Sequence, residues 1–138
     1  MRRTSSLQTF CSLAAILVLV TALTAAAAVA QSAPQTTVSI SGQADYISQD
    51  QIIVYITVQG TGGIGAAGVN AQQVVAFGTT TGGSGVTLIC DGKRRTYAVS
   101  IVGAGVGWQL GEALAGADAN CPASGSDFVS KTIRITKP

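Results

Sequence analysis

The chain contains no histidine, and Met1 is its only methionine. One tryptophan, three tyrosines and three phenylalanines make up its aromatic residues. Without imidazole, Ser-His and Cys-His catalysis and most zinc sites are excluded. Charge is scarce too, at 10% of residues. Asp45, Asp50, Asp91, Glu112, Asp118 and Asp127 are scattered, and no spacing among them implies a carboxylate pair for acid–base work on a sugar. There is no nucleophile elbow and no Ser-x-x-Lys. The sequence therefore offers no catalytic residue, no metal ligand and no cofactor site. It favours a non-enzymatic protein, with a secreted hydrolase the least favoured class.

What is present divides into two parts. Residues 1–30 read as a signal peptide. Arg2 and Arg3 give a basic start, residues 13–20 (LAAILVLV) form an apolar run, and Ala28-Val29-Ala30 has the small-x-small form of a cleavage site. An uncleaved anchor is the alternative, since residues 13–30 are long enough to span a membrane. Cleavage before Gln31 would remove Arg2 and Arg3 and leave equal numbers of acidic and basic residues. The mature chain is then neutral, without the basic stripe that nucleic-acid binding needs. Its expected place is secreted or envelope-associated, with no membrane span. Its expected partner is another extracellular or envelope macromolecule of unknown identity. Cys11 leaves with the leader. Cys90 and Cys121 remain, and an even pair in an exported chain reads as one disulfide. Two free thiols are the alternative in a reducing compartment.

Residues 31–35 form a short extension, and residues 36–138 read as one all-β domain of about seven strands. Residues 51–59 (QIIVYITVQ) are the strongest strand, with Ile52, Val54, Ile56 and Val58 on one face. Ile53, Tyr55 and Thr57 on the other face predict a central position. Strands are also expected over residues 36–41, 70–77, 86–90, 95–102 and 129–136. Residues 60–68 (GTGGIGAAG) and 78–85 (GTTTGGSG) read as loops. Asp91-Gly92 reads as a hairpin turn. In residues 112–121, Ala113, Ala115, Ala117, Ala119 and Cys121 share a face if extended. A helix over residues 107–120 is the alternative, weakened by three glycines. Val86, Leu88 and Cys90 also share a face, so both cysteines point inward under one pattern.

Two glycine motifs imitate dinucleotide sites. Residues 60–65 (GTGGIG) satisfy G-x-G-x-x-G, but no acid follows until Asp91, and Gly65 and Gly68 weaken the helix the motif needs. Residues 99–114 place Trp108 where the third glycine belongs. Turn punctuation is the better reading of both. Lys93, Arg94 and Arg95 form a basic cluster that reads either as an anion contact or as a solvated hairpin tip. Trp108 reads either as a ligand-stacking residue, in a cleft with Phe77, or as a core tryptophan packed near the disulfide.

Four stretches carry a family likeness: Val58-Gln59-Gly60, Ile89-Cys90-Asp91-Gly92, Thr96-Tyr97-Ala98-Val99 and Gly111-Glu112-Ala113. Together they resemble small exported bacterial immunoglobulin-like domains of unknown function, over most of residues 36–119. The resemblance implies a single immunoglobulin-like antiparallel β-sandwich. In such domains the cysteine before Asp-Gly often bridges to one closing the second strand. Gly60 holds that place here, which leaves Cys121 as the partner of Cys90. A weaker, compositional likeness is to neocarzinostatin-type apoproteins. The functional expectation is a binding or cell-surface interaction module. A small hydrophobic-ligand carrier with a cleft near Trp108 is the alternative.

Overall fold

The computed structural model describes residues 34–138. The leader expected over residues 1–30 lies outside the described residues, as does most of the short extension. Seven strands follow in order: β1 (Thr37–Ser48), β2 (Gln51–Gln59), β3 (Thr61–Val75), β4 (Gly78–Asp91), β5 (Arg95–Gly105), β6 (Gly111–Cys121) and β7 (Gly125–Thr136). They close into a barrel in the order β1-β2-β5-β4-β3-β6-β7. Two overlapping Greek keys are contained in that order, because β2 returns beside β5 and β6 returns beside β3.

The β2 pattern decides its place. Ile52, Val54 and Ile56 are wholly buried, and β2 is paired antiparallel on both sides, with β1 and with β5. Val99 and Ile101 of β5, Leu88 of β4 and Ile133 and Ile135 of β7 meet it in the core. Residues 111–121 are extended, so the helical alternative does not hold. Their four alternate alanines and Cys121 all face inward. Lacking bulk, those alanines leave interior room for the branched side chains of β2 and β5.

The structure corrects two expectations about glycine. Residues 60–68 and 78–85, expected as loops, run mostly within β3 and β4, which pair with each other from Thr61 and Asp91 to Val75 and Gly78. Alternation cannot be read where the alternating residue has no side chain, so these strands were hidden. The G-x-G-x-x-G segment leads into no helix. Gly60 and Gly65 instead pass the disulfide so closely that a methyl group on either would collide with Cys121 Sγ or Cys90 Sγ.

The immunoglobulin-like sandwich is also corrected. Two short ladders join what would have been separate sheets. Thr80, Thr81 and Gly82 of β4 pair with Gly105, Ala104 and Gly103 of β5. Gln43, Ala44 and Asp45 of β1 pair in parallel with Arg134, Ile135 and Thr136 of β7. Glycine permits the first seam. A methyl at Gly82 would strike the Val102 carbonyl, and one at Gly105 would strike that of Thr79. Gly105 also has φ +129°, a conformation that side chains disfavour.

Away from these ladders the seams are bridged by side chains. Asp127 accepts a hydrogen bond from the Val38 backbone N–H at 2.9 Å. Lys131 donates to the Ile40 carbonyl at 3.3 Å. On the other side Tyr97 Oη accepts the Ile89 N–H at 2.9 Å. Asp127 and Lys131 share the parity of Val129 and Ile133. They are inward-pointing charges at a seam, a device that keeps partly unpaired edges from pairing with other chains.

Candidate functional site

At one end of the barrel, Cys90 and Cys121 form a disulfide with a Cα–Cα separation of 5.8 Å. It links β4 to β6 across β3, their common neighbour. The basic cluster lies at this end. Gly92 has φ +84° and donates its N–H to the Gly60 carbonyl at 2.8 Å. The chain bends at Gly92 and Lys93, directly after β4. The strands this bend joins do not pair beside it, because β4 and β5 meet only at Thr80–Gly82. That corrects the hairpin expectation.

Within the cluster the three cations are not equivalent. Arg95 donates to Asp91 Oδ2 at 2.6 Å and to Oδ1 at 3.3 Å, and the Lys93 N–H adds a bond at 3.2 Å. These donors, led by the guanidinium, hold the Asp91 carboxyl down to about 2 from its ordinary 3.8. A carboxyl depressed on folding contributes stability above its unfolded pKa and loses it as pH falls through the folded value. Asp91 is therefore expected to remain ionised down to about pH 2, followed by its carboxyl carbon shift in an NMR titration. In Arg95→Gln the midpoint should rise toward 3.8. An unchanged midpoint would show that the ion pair is not the cause. Lys93 and Arg94 are exposed, and Arg94 makes no ion pair among the described residues.

Trp108 lies at the opposite end, between β5 and β6. The structure does not bring it together with Lys93, Arg94 and Arg95. Nor does it pack near the disulfide, as the core reading expected. It is wholly buried, its backbone N–H donates to the Gln49 carbonyl at 2.7 Å, and its indole rests against Gly103. Phe77 is exposed at the β3–β4 turn. A shallow depression of about 340 Å³ borders Trp108, lined also by Tyr46, Gln49, Gln109, Leu110 and Lys137, and Phe77 takes no part in it.

The sequence reading missed the residue that holds this segment. Gln73 is buried on β3, accepts the Gln109 N–H at 2.9 Å, and donates to the carbonyls of Gln109 and Glu112 at 3.0 and 3.1 Å. One amide thereby satisfies three backbone groups beside Trp108. The signal was present, since Gln73 continues the inward parity of Val69 and Ala71.

The outside of the barrel carries the remaining unusual feature. No family model, curated protein or solved structure matches the chain. The surface must therefore be read on its own chemistry. On the outer face of β7, β6, β3 and β4, Phe128 stands across from Asp118, and Leu114 stands between Thr132 and Gln72. Ile64 and Ile89 are directly paired. Ile64 is 75% exposed, Val74 72% and Phe128 65%. Between them lie Gly68, Gly83, Gly85 and Gly116, and the Asp118 and Asn70 side chains lie over Gly68 and Gly116.

Proposed function

We propose that the chain is an exported, non-enzymatic bacterial binding module. It meets a cell-surface or other extracellular macromolecule through the outer face of β3, β4, β6 and β7. One observation carries this reading: large apolar side chains stand on the outside of a barrel whose inside is already filled. Ile64, Val74, Leu114 and Phe128 contribute nothing to the core and remain in water. Solvated sheet faces ordinarily carry polar residues there, and exposed apolar patches mark interaction sites. The disulfide is consistent with an extracellular location, and the basic-apolar-small pattern of residues 1–30 supports export.

The test is retention on the producing cell's envelope. Labelled protein beginning at Gln31 should sediment with envelope fragments. Leu114→Ser combined with Phe128→Ser should retain the fold by circular dichroism and lower the retained fraction about fivefold or more, as expected when central apolar contacts are removed. Equal retention of both proteins would contradict the reading.

A further inference from the structure

A second surface, on β1, β2 and β5, carries a separate feature. A cleft of about 240 Å³ opens there, lined by Thr37, Val38, Ser39, Thr57, Gln59 and Arg94. Apart from the buried Val38, the register builds it from outward-facing residues. Thr37 pairs with Gln59, Ser39 with Thr57, and Thr57 in turn with Thr96. Arg95 pairs with Val58, which brings the preceding Arg94 to the end of the Thr37–Gln59 row. The cleft therefore has a hydroxyl floor and a guanidinium at one end.

The donors and acceptors there are unevenly used. Thr57 and Thr96 share a hydrogen bond of 3.0 Å between their hydroxyls. Gln59 Nε2 donates to the Gly92 carbonyl at 3.0 Å, which fixes the amide and leaves Gln59 Oε1 as an acceptor. Nearby acids are already engaged. Asp91 is held by Arg95 and the Lys93 N–H, and Asp127 accepts the Val38 N–H. Arg94 is left as a cation without a counter-charge among the described residues.

We infer that this cleft binds an oxyanion-bearing sugar, a carboxylate or sulfate on an acidic saccharide, with Arg94 on the anion and Thr37, Ser39, Thr57 and Gln59 on the ring hydroxyls. The guanidinium fork matches a planar carboxylate or a sulfate face. A bare oxyanion only accepts hydrogen bonds and would leave Gln59 Oε1 unused. A sugar hydroxyl both donates and accepts, which fits the amide and the three hydroxyls together. No aromatic side chain lines the cleft, so it lacks the stacking platform that a nucleotide base would use. This site stands apart from the apolar face and does not depend on it.

The test is calorimetric titration of the protein with four probes: oligogalacturonate, a sulfated dextran oligomer, neutral dextran oligomer and inorganic sulfate. Either acidic saccharide should bind, more weakly as salt rises. Carboxylate and sulfate sources are separated by which of the two binds more tightly. Arg94→Gln should weaken binding about tenfold and Thr57→Val about threefold. Lys137→Gln, at the other end of the barrel, should change nothing. Three results would each overturn the inference: no binding of either acidic saccharide, equal binding of neutral dextran, or an Arg94→Gln affinity equal to wild type. Binding of inorganic sulfate without either saccharide would overturn the assignment to a sugar.

Discussion

Trp108→Ala is expected to destabilise the barrel by about 3–5 kcal/mol, the cost of truncating a large buried aromatic side chain. Trp108 closes the end of the core opposite the disulfide and is wholly buried. Its backbone is tied to Gln49, and the segment on its C-terminal side is tied to Gln73. Removing the indole leaves a cavity that these anchors keep from collapsing. The measurement is urea unfolding followed by circular dichroism, because the variant has lost the only tryptophan. Trp108→Phe should cost less. The indole Nε1–H finds no hydrogen-bond acceptor among the described residues, and phenylalanine removes that buried donor together with part of the volume. A ligand-stacking residue at a rim would behave differently. Its replacement would leave stability within about 0.5 kcal/mol, as surface substitutions usually do.

The second large effect concerns the disulfide. Replacing both Cys90 and Cys121 by alanine should cost roughly 3–4 kcal/mol, from the loop entropy of a closure over 31 positions. Domains are typically stable by about 5–15 kcal/mol, so the doubly substituted protein should be near its limit. The structure adds a reason for a cost at the upper end. The disulfide ties β4 to β6 where Gly60 and Gly65 thread past it, and glycine offers no side-chain packing to replace the lost link. Wild-type protein unfolded in reductant should show the same midpoint as the double variant. A loss below about 1 kcal/mol would mean that the staple is redundant with the barrel ladders.

Much of this fold was legible because its strands alternate. Residues 51–59 declare both their inward face and their central position. Ala113, Ala115, Ala117 and Ala119 declare theirs, and Cys90 and Cys121 fall on the inward parities that let them meet. Barrel closure was not legible. Alternation says which face of a strand is buried, but not whether two strand ends approach closely enough to pair. That decision rests on Gly82, Gly103 and Gly105, whose missing side chains carry no pattern. The same silence made residues 60–68 and 78–85 read as loops.

The candidate sites were partly visible in the same way. Arg94 was visible as one of three adjacent cations in a sparsely charged, neutral domain. Its cleft partners Thr37, Ser39, Thr57 and Gln59 come from β1 and β2, distant in sequence, and only the register gathers them. Lys93 and Arg95 were grouped with Arg94 by adjacency, yet Arg95 is spent on Asp91. The apolar outer face was hidden for another reason. Ile64, Ile89, Leu114 and Phe128 look like core residues in any hydropathy reading. Alternation already set Ile89 and Leu114 opposite the inward faces of their strands, but Ile64 fell in an expected loop and Phe128 just before an expected strand, so the face became visible only when β3 and β7 were seen to run through them.

Recognition on the outside of the barrel, as proposed, should leave the filled core undisturbed. Methyl NMR of the protein mixed with solubilised envelope material separates the two faces of each strand. The outward methyls of Ile64, Val74, Ile89 and Leu114 should shift or broaden. The inward methyls of Ile52, Val54, Ile56 and Ile133 should stay in place. Perturbation confined to the inward methyls and the Trp108 indole would contradict the account and favour a ligand carried inside.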